Sequence, residues 1–207
     1  PRDITAWTRF DFPGRGDKYS DFKWNWTCFH GVDYDEATHA NAIYLFDGKH
    51  WSEQVDHHDN GNYDYLMGCD VYDELLRWGE WYLSTCDLDG FRLDALKHMD
   101  RQFFLRWLPA LRQEFGKELF TVGEYWLPDV GELKAYLGSE RAMSLFDVPL
   151  HYRLYQASCS FGSVDLRHLF DGSLVGADPT RAVTFVENHD TQPGQALQSF
   201  VQSWFKP

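Results

Sequence analysis

Basic residues are scarce in this sequence: 19 lysines and arginines stand against 32 aspartates and glutamates, a formal net charge of −13. Such a field repels a phosphate backbone, so nucleic acid is excluded as a partner, whereas neutral molecules and cations fit. Cysteine is equally thin. Cys28, Cys69, Cys86 and Cys159 are scattered without any CxxC spacing, so neither a disulfide framework nor a zinc site is expected. Reduced thiols fit a cytoplasmic home better than a secreted one. No apolar run approaches the roughly 20 residues needed to cross a bilayer, so no membrane partner is expected. No basic stretch leads into an apolar one at the start, so no signal peptide is visible. Internal repeats and low-complexity tracts are missing too.

Aromatic residues are plentiful instead, at 17% of the chain, with 9 Trp, 11 Tyr and 16 Phe. Most belong in a core. Those in polar surroundings, such as Tyr19-Ser20-Asp21-Phe22-Lys23-Trp24-Asn25-Trp26, are harder to bury. Sugar rings carry flat C–H faces that stack on such side chains, which puts carbohydrate among the candidate ligands. With 43% hydrophobic and 25% charged residues, 207 residues suffice for one or two folded domains.

The pattern changes near residue 72. Residues 1–71 are rich in Asp, Asn, Gly and His, with turn signals at Pro13-Gly14, Asp47-Gly48 and Asn60-Gly61, which reads as loop-rich β structure. From residue 72 onward helices and strands alternate. Residues 73–86 carry apolar positions at helical spacing, and Leu88–Asp94 is a short strand. Asp100 caps a helix through Phe103, Phe104, Trp107, Leu108 and Leu111, with Pro109 placed to kink it. Leu119–Val122 is the next strand, Val130–Leu137 a helix and Met143–Phe146 a strand. A longer helical region follows, interrupted at Gly162, and Ala182–Val186 closes the series. Alternation of this kind predicts an α/β fold with a parallel sheet. Function in such sheets gathers at the carboxyl ends of strands, where Asp94, Glu124, Asp147 and Asp190 all fall.

Three segments carry a family resemblance. Gly90-Phe91-Arg92-Leu93-Asp94-Ala95-Leu96-Lys97-His98, Gly123-Glu124-Tyr125-Trp126 and Phe185-Val186-Glu187-Asn188-His189-Asp190 resemble signature regions of the α-amylase family, in the family's order. Asn62-Tyr63-Asp64-Tyr65-Leu66-Met67, Phe146-Asp147-Val148-Pro149-Leu150 and the run from Asp190 through Gly194-Gln195 are similar to its bacterial liquefying and cytoplasmic members. The resemblance implies a partial TIM (β/α)8 barrel, about strands 4 to 7, in residues 72–207. Residues 1–71 resemble the β-rich domain inserted after the third strand. Strands one to three would then precede residue 1, and the eighth would follow Pro207.

By the same resemblance the expected activity is endo-acting hydrolysis of α-1,4-glucosidic bonds in starch- or glycogen-like glucan, by a monomer. Retention needs a nucleophile and an acid/base about 5–5.5 Å apart. Asp94 resembles the nucleophile, Glu124 the acid/base and Asp190 the third carboxylate, which holds sugar hydroxyls. Arg92 shares a strand face with Asp94 and can keep it ionised, while Glu124 beside Tyr125 and Trp126 is expected in a drier place. His189 resembles a ring-binding histidine, and Lys97 and His98 resemble residues on the leaving-group side. Tyr125 and Trp126 are candidates for stacking. Transglycosylation by the same site and non-catalytic glucan binding are the competing readings; a lost carboxylate would mark the second.

The resemblance also implies one Ca2+ between barrel and inserted domain, held by Asp64, Asp70 and the backbone carbonyl of His98, an oxygen set suited to that ion. His30 and Ser52 stand where two aspartates of a second metal cluster belong in liquefying members, so that cluster is expected to be absent. Adjacent histidines in His57-His58-Asp59 point apart and read as solvated loop, not as a metal site. Between Val71 and Tyr72 the family normally has about seven more residues, and a break in the chain is expected there.

Overall fold

The computed structural model describes Phe22, Trp24, Cys28, Phe29 and residues 31–45 and 70–205. It divides into two compact units, Pro1–Thr85 and Cys86–Pro207. In the first, β1 (Gly31–Asp35) and β2 (Ala40–Leu45) form an antiparallel hairpin with an irregularity between Val32 and Tyr34. Its turn contains no glycine. The Asp35 carboxylate accepts from the Ala37 N–H at 3.0 Å and the Thr38 hydroxyl at 2.6 Å, and His39 takes the left-handed conformation at φ 54°. Asx turns of this kind do the work that a glycine dipeptide does elsewhere.

Helix α1 (Asp70–Cys86) runs without interruption through Val71 and Tyr72. The turn signals at Pro13, Asp47 and Asn60, and the His57-His58-Asp59 run, lie outside the described residues.

The second unit holds a four-stranded parallel sheet of β3 (Gly90–Leu93), β4 (Phe120–Gly123), β5 (Ser144–Phe146) and β6 (Ala182–Val183), paired in chain order. Helices α2 (Arg101–Phe115), α3 (Val130–Leu137) and α4 (Val148–Cys159) occupy the crossovers, with a single short turn, α5 (Leu174–Ala177), before β6. A parallel sheet wound in sequential order, each strand beside its predecessor, is the arrangement that barrels of this class use.

Helices α2, α3 and α4 are each capped by an aspartate. Asp100, Asp129 and Asp147 accept from the Gln102, Glu132 and Leu150 N–H groups at 2.8, 3.0 and 3.0 Å, satisfying donors the first turn leaves open. α2 buries Phe103, Phe104, Trp107, Leu108 and Leu111 and ends at Gly116, left-handed at φ 59°. Pro109 lies on its exposed side, and the helix continues past it because water can meet the carbonyl that loses its partner. Gly90 is required by the sheet itself: a Cβ there would overlap the Phe120 carbonyl on the adjoining strand.

Candidate active site

The register of β3 against β4 decides what meets at their carboxyl ends. Leu93 pairs with Gly123, so Asp94 and Glu124, one residue on, emerge side by side. Two backbone bonds carry the ladder past the strands: the Glu124 N–H donates to the Leu93 carbonyl at 2.8 Å, and the Leu96 N–H to the Glu124 carbonyl at 3.0 Å. Between them Ala95 turns the chain in the left-handed region, φ 50° and ψ 44°. A residue with a Cβ is uncommon there and the conformation costs about 1–2 kcal/mol. The turn sends Leu96 into the core, fully buried, where it occupies the space that the missing side chain of Gly123 leaves open. It also turns the Ala95 N–H towards the Glu124 Oε2, 3.2 Å away.

Arg92 joins the two carboxylates. One guanidinium nitrogen, Nη1, hydrogen-bonds the Asp94 Oδ1, and the other, Nη2, stands 3.3 Å from the Glu124 Oε1. The two acids then part company. Asp94 keeps 63% of its side chain exposed, whereas Glu124 as a residue is only 6% exposed. Burial pushes the Asp94 carboxyl up, but the Arg92 and Glu124 hydrogen bonds, with the charges of Arg92 and His189, outweigh it and hold Asp94 below its ordinary value. For Glu124 burial comes first and raises the carboxyl. The Ala95 N–H and the Arg92 charge pull it down, the Asp94 hydrogen bond and charge push it up, and the balance lies above its ordinary value. Two neighbouring carboxyls shifted in opposite directions, one down and one up, are the pairing that hydrolysis of an acetal needs.

The loop after β6 closes on the same place. Asn188 donates from Nδ2 to the Glu124 Oε1 at 3.3 Å, while its Oδ1 accepts from the N–H groups of Asp190 and Thr191, each at 3.0 Å. Asp190 is half-buried with His189 Nε2 3.4 Å from its Oδ2, and His189 itself is 68% exposed. This is a hydrogen-bonded turn with no helix directly after it. Lys97 reaches across to the Trp126 carbonyl at 3.3 Å, and His98 beside it is exposed. Trp126 is half-buried: its indole N–H donates to the Tyr152 hydroxyl at 3.0 Å, and its ring leans on Tyr152, His151 and Phe185. His151 is locked in turn, with Nδ1 at 2.7 Å from the Val186 carbonyl, Nε2 at 2.8 Å from the Ser199 hydroxyl, and its ring stacked on Phe185.

Two sequence expectations are corrected. Tyr125 is 1% exposed and packs on Tyr136 with ring centroids 4.5 Å apart, so it is a core residue with no free face for stacking. Asp147 stands at a strand end like Asp94 and Glu124 but is completely buried. Its oxygens accept from the Leu150 and Leu174 N–H groups, both at 3.0 Å, and from the Val175 N–H at 2.7 Å. It serves the scaffold. Among the described residues no three His, Cys, Asp or Glu side chains gather as a metal cluster would require. Asp64, His30 and Ser52 lie outside the described residues, and for Asp70 only its place at the start of α1 is described.

Comparison with known proteins bears on this geometry. No family model matches the chain. It is 52% identical to an α-amylase of Bacillus licheniformis over 99% of its own length and 41% of that protein's. It is 41% identical to the cytoplasmic α-amylase of Escherichia coli K12 over 98% of its length and 43% of the relative's. This stretch of chain belongs with the α-amylases. It spans about two fifths of the length of the curated relatives it matches. The crystal structure of an α-amylase from Geobacillus thermoleovorans superposes on 60% of the chain and 28% of its own with a TM-score of 0.51. At 24% identity that likeness speaks for the fold alone.

Proposed function

We propose that the protein carrying this chain is an endo-acting α-amylase that hydrolyses α-1,4-glucosidic bonds of starch- or glycogen-like glucan by double displacement with retention. The observation that carries the reading is Arg92 bridging an exposed Asp94 and a buried Glu124 at neighbouring strand ends. In this reading Asp94 attacks the anomeric carbon while Glu124 gives its proton to the departing glycosidic oxygen. Glu124, now ionised, then takes a proton from the water that releases the sugar from Asp94.

Asp190 and His189 hold hydroxyls of the sugar whose ring flattens in the transition state. Lys97, His98 and the ring of Trp126 contact the sugar on the leaving-group side. Residues 1–71 are assigned to the inserted β-rich domain and 72–207 to the catalytic barrel, with β3 to β6 as its strands four to seven. The enzyme is expected to act as a monomer.

The test is product chemistry. Soluble starch given to the protein carrying this chain is expected to lose viscosity early and to release reducing ends that appear first as the α-anomer in proton NMR. Appearance of the β-anomer first would contradict double displacement. Binding of maltooligosaccharides without any release of reducing ends would leave a binding protein instead.

Calcium is proposed on the resemblance alone, with Asp64, Asp70 and the His98 carbonyl as oxygen ligands. Calorimetric titration of chelator-treated protein is expected to show one tight Ca2+ site, with a higher Tm when it is filled. No tight site would remove the proposal, and two or more would contradict the expected absence of a second cluster.

A further inference from the structure

The side chain of Asn188 has its orientation forced. Its Oδ1 accepts from two backbone N–H groups, those of Asp190 and Thr191, each at 3.0 Å, and only the oxygen end of an amide can do that. The nitrogen end is therefore the one that meets Glu124 Oε1, at 3.3 Å. The turn that fixes the amide is itself braced. The Asn188 N–H donates to the Thr191 hydroxyl at 3.0 Å, that hydroxyl donates to Glu187 Oε2 at 2.9 Å, and Glu187 Oε1 accepts from the Val201 N–H at 2.6 Å.

We propose that Asn188 is the positioning residue for the acid/base, holding Glu124 by its amide N–H while its carbonyl oxygen holds the turn that presents Asp190. One side chain, 64 residues along the chain from Glu124, thereby sets the distance between the proton donor and the third carboxylate. The proposal rests on the roles given to Glu124 and Asp190 above.

Its second consequence is electrostatic. Glu124 Oε1 lies between Asn188 Nδ2 and Arg92 Nη2, both at 3.3 Å, and Oε2 meets the Ala95 N–H at 3.2 Å. All three donors favour the ionised carboxylate, and burial and Asp94 oppose them. The other charged or titratable groups of this neighbourhood are Lys97 on the turn after β3, His151 behind Trp126 on α4, and Glu187, His189 and Asp190 on the Asn188 turn. The Asn188 N–H is one more donor on that carboxylate, and its loss is expected to move Glu124 further in the direction in which burial already pushes it.

Asn188→Asp separates this role from turn formation. The aspartate keeps an oxygen for the Asp190 and Thr191 N–H groups but turns a second oxygen, in place of a donor, towards Glu124. The alkaline limb of kcat/KM on maltooligosaccharide is expected to move up by about one pH unit or more, with kcat falling about tenfold. A residue that only shapes the turn would leave both unchanged, and that result would overturn the proposal. Asn188→Ser removes the donor and retains a turn-forming hydroxyl, so the same upward movement, smaller, is expected if the aspartate variant does not fold. The Glu124 titration is also to be followed by carbon NMR of labelled protein, which needs no turnover. If the wild type proves inactive on glucan, the functional reading fails while the NMR titration still decides whether Asn188 holds Glu124.

Discussion

Asp94→Asn and Glu124→Gln are each expected to lower kcat on soluble starch by about 10³-fold or more, and to do so through different halves of the reaction. On the proposed roles, amidation of Asp94 removes the nucleophile, so no glycosyl intermediate is expected whatever the leaving group. Amidation of Glu124 removes the proton that a sugar leaving group needs. An aryl maltoside with an acidic phenol requires no such proton, so Glu124→Gln is expected to recover glycosylation on that substrate while Asp94→Asn recovers nothing.

The pH profiles separate the two groups further. Asp94 must be ionised, so activity falls as pH drops through a pKa held below the ordinary carboxylate value by Arg92. Glu124 must be protonated, so activity falls as pH rises through a pKa raised chiefly by burial. The working window between them is wider than two ordinary carboxylates would give, and the alkaline limb should vanish in Glu124→Gln on the aryl substrate. Equal recovery of both variants by the aryl maltoside would reverse or dissolve the assignment. The two must not be treated as additive, because nucleophile and acid act in the same glycosylation step.

Much of this site was legible in the sequence because a parallel strand announces its own end. Gly90–Leu93 and Phe120–Gly123 are short, apolar and followed at once by a carboxylate, and a one-residue register rule does the rest. What the sequence concealed depends on partners far along the chain. Asp147 has the same local signature as Asp94, and only the arrival of Leu174 and Val175, 27 and 28 residues later, turns it into a buried acceptor. Tyr125 follows Glu124 directly, yet the alternation of side chains along the chain places it against Tyr136 and not towards a ligand. The last strand was expected to reach Val186 but ends at Val183, and the Val186 carbonyl is taken by the ring of His151. Asn188 was visible as part of a polar run, but nothing local reveals that its amide reaches Glu124. The hairpin at Asp35–Ala40 escaped notice because its turn is made by an aspartate and a left-handed histidine where glycine was the signal sought.

The largest stability effect is expected at Asp147. Its carboxylate is completely buried and receives three backbone N–H groups: Leu150 at the start of α4, and Leu174 and Val175 at the start of α5. A negative charge before two helix N-termini is favoured by the dipoles of both, and its own N–H is tied to the Val183 carbonyl on β6 at 2.9 Å. Asp147→Ala leaves three donors in a dry place at about 1–3 kcal/mol each. Relaxation and entering water recover part of that, so the expected loss is about 3–5 kcal/mol, a range that single substitutions seldom reach. Asp147→Asn keeps one acceptor oxygen but points an NH2 at a backbone N–H, and should fall in between. Urea denaturation reads the order directly: wild type, Asn, Ala, with falling midpoints and an unchanged slope. The chemistry should be spared where the fold persists. α4 carries His151 and Tyr152, which brace Trp126, so the alanine variant is expected to lose activity with the same temperature dependence as its loss of structure, and to keep the wild-type pH profile below that temperature. A displaced pH profile at full folding would place Asp147 in the chemistry, contrary to its three backbone bonds, and a loss below about 1 kcal/mol would mean that those bonds are readily replaced by water.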